Sequence, residues 1–182
     1  MAGGSGCFLE AMVDACGNNV RYTLADIPSV VARYRQQNQR MSDHFFLKNK
    51  NLHAADTAVP ADLFQSETWL VGPDLHLLAN VLHDWDRDKC MQILRNSRQA
   101  LEQGTSAGRL VVAEQLLDET QTGPLSAALA SVSILLGDWR TGKEYSFHEL
   151  KTMMLNAGFK NVELGPACGN FHTAVIAYTC VQ

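Results

Sequence analysis

Leu75-His76-Leu77-Leu78-Ala79-Asn80-Val81-Leu82-His83-Asp84-Trp85 is the stretch that decides how this chain is read. Leu75 to Leu82 is an apolar run of strand length, and a polar helical pattern follows from Asp86 to Leu101. His83 therefore falls where a buried strand ends and a helix is about to begin. In open α/β sheets, ligands bind outside the carboxyl ends of strands. A histidine there is a candidate general base, because its ordinary pKa lies near neutrality. The ordinary alternative is a histidine satisfied by local backbone hydrogen bonds.

Outward from this stretch, helical and extended patterns alternate, which predicts an α/β sheet. Upstream, Cys7 to Cys16 reads as a helix that Gly17 would cap, and Val20 to Leu24 as a short strand. Asp26 reads as an N-cap, with Pro28 in the first turn of a helix to Gln39. Asn49 to Glu67 is polar and broken, with a weak strand near Leu52 to Ala55. Downstream, strands are expected at Arg109–Glu114 and Thr173–Thr179, and helices at 125–136 and 146–157. The last helix stops at Asn156-Ala157-Gly158. No repeat, low-complexity tract or domain boundary stands out, so one domain over residues 1–182 is expected.

The bulk numbers narrow the function. The chain has 182 residues, 46% hydrophobic and 19% charged, which suits a globular domain with one sizeable core. A net charge of -4 without a long basic run argues against a nucleic-acid partner. Arg33, Arg35 and Arg40 read as a solvated helix face. The five cysteines, Cys7, Cys16, Cys90, Cys168 and Cys180, have neither zinc-ligand nor redox spacing, so reduced, buried thiols are expected. No apolar stretch reaches the roughly 18 residues of a membrane span. Met1 to Gly6 lacks the apolar core of a secretory signal, which makes the cytosol the default compartment.

Gly3-Gly4-Ser5-Gly6 opens the chain and runs into the first helix. Glycines at such a turn let backbone approach a ligand, and the helix N-terminus adds partial positive charge. Asp26 follows at about the distance at which an acidic residue binds ribose hydroxyls in nucleotide-type folds. A Gly-Gly-Ser-Gly terminus is also an ordinary flexible tail.

At this point the chain resembles a family. Gly3-Gly4-Ser5-Gly6, Asp26-Ile27-Pro28, Asp62-Leu63-Phe64, Leu82-His83-Asp84-Trp85, Ala113-Glu114 and Gly142-Lys143-Glu144 occur in the order of class I S-adenosylmethionine-dependent O-methyltransferases. That group includes plant phenolic and animal hydroxyindole methyltransferases. Glu114-Gln115-Leu116-Leu117-Asp118-Glu119 with Gly123-Pro124-Leu125 is most similar to the acetylserotonin (hydroxyindole) O-methyltransferase branch. The resemblance implies a Rossmann-like α/β sheet with helices on both faces. It also implies roles. The turn of Gly3, Gly4 and Gly6 would pass under the methionine part of S-adenosylmethionine, and Asp26 would bind its ribose. Asp62, Leu63 and Phe64 would hold adenine, with Asp56 a rival to Asp62. Asp84 would help position the cofactor or the turn.

In that setting His83 would take the proton of a phenol or hydroxyindole as the oxygen attacks. A phenol pKa near 10 against an imidazole near 6.5 leaves a gap of about 5 kcal/mol, so prior deprotonation by a neutral histidine is costly. Glu114, at the end of its own strand, would orient the imidazole as a carboxylate does in hydrolase triads, with Glu144 a second support. Both also read as ordinary acids, one at a strand end and one before a helix. Trp85 and Ser133 are candidates at the acceptor, Trp85 more for packing than stacking. Met153 and Met154 read as core.

Two departures from the family pattern stand out. The chain begins inside the glycine motif, where the family has a central strand and, before it, a helical dimerisation domain, so a complete member would need roughly 150 more residues. A truncated chain, in which the family homodimer is doubtful, is therefore expected. Ser131-Val132-Ser133 stands where acetylserotonin methyltransferases carry an amide side chain, which leaves the acceptor open. Two rivals follow: a non-catalytic pseudo-enzyme pairing with a longer relative, and a nicotinamide-dependent oxidoreductase sharing the glycine turn and Asp26. The second gives no reason for the His-Asp-Trp element.

Overall fold

The computed structural model describes residues 1–16, 20–41, 58–104, 107–137, 141–168 and 171–180. They fall into two compact units, Met1–Thr68 and Trp69–Gln182, a division that the sequence reading does not mark. Asp56, the strand near Leu52 and Gly17 lie outside the described residues.

In the first unit, helix α1 (Cys7–Cys16) follows the glycine turn. Strand β1 spans Leu24–Asp26, helix α2 Pro28–Met41 and strand β2 Ala58–Pro60. The strands pair in parallel, Leu24 opposite Ala58 and Asp26 opposite Pro60. Leu24, Val31, Tyr34 and Ala58 form a small buried cluster with Leu9 against it. Pro28 opens α2, where its missing N–H costs nothing and its fixed φ favours the helix.

This corrects two expectations. The strand is not Val20–Leu24 but Leu24–Asp26, which shares only Leu24 with the expectation. Pairing with Ala58 to Pro60 decides its position, not the strand propensity of Val20 and Tyr22. Asp26 is accordingly the last strand residue rather than the N-cap. Arg35 is also more than a solvated side chain, since its guanidinium donates to the Ala58 carbonyl at 2.5 Å.

The second unit is built on a four-stranded sheet in the order β3-β4-β6-β5. Its strands are β3 (Leu75–Ala79), β4 (Arg109–Glu114), β5 (Asn161–Cys168) and β6 (His172–Tyr178). β3 and β4 are parallel and joined through helix α3 (Arg87–Glu102), while β6 runs antiparallel to both neighbours. Helices α4 (Leu125–Leu136) and α5 (Phe147–Asn156) complete the unit. Leu78, Leu110, Val112 and Val175 of the sheet, Ile93 and Leu94 of α3, and Leu150, Met153 and Met154 of α5 are each at or near zero exposure and make up the core. The two methionines are core, as expected.

The caps explain the helix limits. Asp86 Oδ1 accepts from Lys89 N at 2.9 Å to start α3. Ser146 and Glu149 form a reciprocal capping box for α5, and Gly158, at φ +101°, stops it. β3 ends at Ala79 rather than Leu82, because Asn80 adopts φ +54° and turns the chain into a single 3-10 turn, Leu82–Asp84.

β5 has no counterpart in the sequence reading. Gly165 and Pro166 interrupt its pattern, and the register shifts between Leu164 and Ala167. A proline is tolerated there because β5 is an edge strand with a bulge. The cysteines also depart from expectation. Cys90 is buried, but Cys7, Cys16 and Cys180 are exposed, and these four are free thiols. Among the described residues, no helix is long and apolar enough to cross a membrane.

Candidate active site

In the first unit the site residues gather at the carboxyl ends of the parallel pair β1-β2. The glycine turn is tied to β1 by Gly3 N–H donating to the Ala25 carbonyl at 3.1 Å. Gly4 N–H donates to Asp26 Oδ2 at 2.8 Å, and Ile27 N–H to Asp26 Oδ1 at 2.7 Å. Each carboxylate oxygen thus keeps lone-pair capacity beyond the backbone donor it already holds. Gly6 sits at φ +85°, and a Cβ there would lie 2.5 Å from the Tyr34 ring. Gly4, at φ +53°, faces open space. The turn is therefore a tight, side-chain-free edge beside a carboxylate, which suits close approach of a nucleoside-type ligand.

Asp62 lies just beyond β2, where Ala61 N–H donates to the Asp26 carbonyl at 2.8 Å. Its Oδ1 accepts from Phe64 N at 2.9 Å and its Oδ2 from Gln65 Nε2 at 3.3 Å. That is an Asx turn, which presents Leu63 and Phe64, both half-buried. Asp62 is thus at least a turn former.

The second unit assembles the chemistry. His83 sits in the 3-10 turn at the carboxyl end of β3, and Glu114 closes β4 beside it, with Ala79 opposite Ala113. Glu114 is 1% exposed. Its Oε1 accepts from Val81 N at 2.8 Å and Leu82 N at 2.9 Å, so the carboxylate anchors the turn that carries His83. Its Oε2 stands 2.9 Å from His83 Nδ1, and Glu144 Oε1 stands 3.5 Å from the same nitrogen. Both contacts pair the imidazole with a buried carboxylate. Glu144 is also 1% exposed.

Nε2, the other ring nitrogen, is 3.5 Å from Asp84 Oδ1. Burial alone would lower the His83 pKa, but the Glu114 and Glu144 carboxylates outweigh it and hold the imidazole up at about 10. Asp84 is raised above the usual carboxylate range, first by burial and then by Glu114, with His83 opposing. At neutral pH, His83 is therefore a cation between two buried carboxylates, not the neutral imidazole expected from sequence.

The Gly142-Lys143-Glu144 segment reaches His83 by close backbone approach. A Cβ at Gly142 would lie 2.1 Å from the His83 carbonyl oxygen, so only glycine lets the segment pass. Ser131 Oγ on α4 accepts from Glu144 N at 3.3 Å. Ser131 thereby holds the backbone of Glu144. The Ser133 hydroxyl instead donates back to the Leu129 carbonyl at 3.0 Å and is exposed. The Trp85 ring lies beneath the Lys89 ammonium, 5.3 Å from its centroid, and the Trp85 carbonyl accepts from Tyr145 Oη at 2.7 Å.

Three contributors escaped the sequence reading. Tyr145 fixes the residue after Asp84. Ser131 steadies Glu144. Asn80 bends β3 into the turn, its Oδ1 2.7 Å from His172 Nε2. Only Asn80 carried a signal, as an asparagine closing an apolar strand, since Asn tolerates positive φ.

Comparison with known proteins shows what the chain is similar to. Acetylserotonin O-methyltransferase of Mus musculus is 30% identical over 181 residues, covering 97% of this chain and 42% of that protein. Mitomycin biosynthesis 6-O-methyltransferase of Streptomyces lavendulae is 31% identical over 169 residues, covering 93% and 43%. Human N-acetylserotonin methyltransferase, solved with S-adenosylmethionine, superposes with a TM-score of 0.80 at 25% identity, over 100% of this chain and 46% of that one. The chain thus spans less than half the length of these relatives. The sheet is that of the Rossmann-like methyltransferases. The O-methyltransferase domain profile matches residues 1–160, and the chain belongs to that family.

Proposed function

We propose that this chain moves a methyl group from S-adenosylmethionine to the oxygen of a small aromatic alcohol, a hydroxyindole or phenol, with His83 as the proton acceptor. The observation that carries the reading is His83 Nδ1 held 2.9 Å from the buried Glu114 carboxylate, which leaves Nε2 as the working nitrogen. The relatives' names supply the substrate class, two of them being acetylserotonin O-methyltransferases.

The residues fit the cofactor. Asp26 keeps acceptor capacity for ribose hydroxyls, the turn of Gly3, Gly4 and Gly6 offers a side-chain-free edge, and Asp62 shapes the Leu63-Phe64 wall for adenine. Two buried carboxylates against one imidazolium leave surplus negative charge, which favours a cationic ligand. Asp84 contributes to that field from the Nε2 side. Bound, S-adenosylmethionine supplies an electrophilic methyl on a cationic sulphur.

The raised pKa of His83 changes the energetics expected from sequence. An imidazole near 10 matches a phenol near 10, so a proton shared between Nε2 and the acceptor oxygen costs little. The opposing cost is that the neutral form of His83 is the minor one at pH 7. A positive charge within reach of the acceptor oxygen lowers that barrier, because like charges disfavour the imidazolium. Glu114 and Glu144 then stabilise the cation that forms when the proton arrives. Trp85 packs beside this turn, and Ser133 remains a candidate at the acceptor.

A second reading has its own observation. Leu125, Leu129, Leu135 and Leu136 of α4 are 58–80% exposed, an apolar face of the kind that marks association. A chain working through pairing with a longer relative, without turnover of its own, would use such a face.

Calorimetric titration separates the ligand classes: S-adenosylmethionine should bind and NAD should not. Transfer of a labelled methyl to N-acetylserotonin, by wild type and by His83→Ala, then separates catalyst from pairing partner. An active wild type that keeps its full rate in His83→Ala removes the base assignment.

A further inference from the structure

Helix α4 turns its small residues inward and its large ones outward. Among its described residues only Ala127 is buried, and Ser131 and Ile134, on the same side by helical spacing, are half-buried. A surface helix normally does the reverse and sets its apolar stripe against the core. The outer side of α4 carries Leu125, Leu129, Val132 and Leu136, four, three and four positions apart, with Leu135 beside them. All five are 52–80% exposed. Single exposed leucines are ordinary, but a continuous apolar stripe of this size marks a place of association.

The spacing fits one kind of occupant. Apolar side chains at alternating intervals of four and three form the seam of a helix pair, each inserting between side chains of a facing helix. The area fits a second copy. Covering the five side chains removes roughly 500–600 Å² from one chain, so two copies face to face bury roughly 1,100 Å², about what a specific interface needs. The seam also matches itself. Run antiparallel about a two-fold axis between Ala130 and Ser131, it sets Leu125 against the partner's Leu136 and Leu129 against the partner's Val132. α4 has no charged side chain, so no like charges meet when it faces its own copy.

We propose that two copies of this chain pair through α4, antiparallel, with this stripe as the interface. The contact is isologous and closes on itself, so assembly stops at two. Its modest area sets dissociation in the micromolar range. The pairing needs nothing beyond this chain and does not depend on the methyl-transfer reading.

Sedimentation velocity tests it on the intact chain, from about 1 to about 200 μM, a range that brackets such an affinity. Reducing conditions keep the exposed Cys7, Cys16 and Cys180 from cross-linking copies. Wild type is expected to pass from one copy to two with rising concentration and to go no higher. Leu129→Glu and Val132→Lys, both at exposed positions and checked for fold by circular dichroism, should each weaken pairing by about tenfold or more. Mixed in equal amounts, the two variants should pair again, because the antiparallel seam sets the new carboxylate against the new ammonium. A wild type that stays at one copy throughout overturns the proposal and leaves the stripe to a longer relative. Association that both single variants leave unchanged, or that grows past two copies, overturns it as well. Variants that remain single both alone and in the mixture overturn the antiparallel pairing.

Discussion

His76 and His83 stand seven positions apart on the same strand-and-turn segment and have opposite chemistry. His76 points into the sheet interior, 5% exposed, its Nδ1 3.0 Å from Ser97 Oγ and its ring edge-on to Trp69. With no carboxylate at hand, burial pushes it down to about 4. His83 is also partly buried, yet two carboxylates lift it to about 10. The same residue becomes a neutral packing element at mid-strand and a cation at the strand end. Location at the carboxyl end of β3, where Glu114 arrives from the parallel β4, makes the difference. Burial alone would have silenced both.

The largest expected effect breaks the contrast at the active end. His83→Ala should lower methyl transfer by about 10²–10⁴-fold, the usual contribution of a general base, while His76→Phe should leave the rate within a few-fold. Steady-state kinetics on both variants checks this. Next comes the support. Glu114→Ala strips the acceptor from Val81 and Leu82 N–H and should cost about 2–6 kcal/mol in urea denaturation, at about 1–3 for each stranded donor. Glu114→Gln keeps an acceptor there and should lose rate more than stability. Gly142→Ala should lower kcat by about tenfold or more with little change in cofactor affinity, because its Cβ displaces the His83 backbone.

The pH dependence of stability sharpens the contrast with opposite signs. For His83 the folded pKa of about 10 lies above the unfolded value near 6.5. Its stabilisation is full below pH 6.5 and is lost as pH rises through 10. For His76 the folded value of about 4 lies below the unfolded one. Its contribution is full above pH 6.5 and is lost as pH falls toward 4. Urea midpoints across pH 4–10 should show His76→Phe flattening only the acid side and His83→Ala only the alkaline side. The smallest effect is local: Asp86→Ala removes the N-cap of α3 and should cost about 1 kcal/mol.

What sequence reveals differs along the chain for physical reasons. The segment from Leu75 through α3 is legible because its apolar run, its turn and its helical period all agree. α5 is legible through Asn156-Ala157-Gly158, where Gly158 takes the positive φ. β5 is not, because Gly165 and Pro166 erase alternation in a strand held at an edge by β6. β1 starts four residues later than expected because its register comes from a partner more than thirty residues away.

At the site, His83, Glu114 and Glu144 are all named by sequence, but their mutual distances are not. The 33-residue separation of Glu114 from Val81 is closed only by the parallel register of β3 and β4. The charge state of His83 is likewise a property of that convergence, and a neutral imidazole was the natural expectation without it. Ser131 against Ser133 is a choice of helix face that depends on where Glu144 lies.

The central claim is that His83 accepts the acceptor's proton. Methyl transfer by wild type and His83→Ala to two acceptors, a phenol of ordinary pKa and a nitro-substituted phenol already ionised at the assay pH, tests it most directly. The account predicts a large wild-type advantage on the first acceptor that nearly vanishes on the second, which brings no proton to remove. An equal advantage on both would contradict it and leave His83 a structural or electrostatic element.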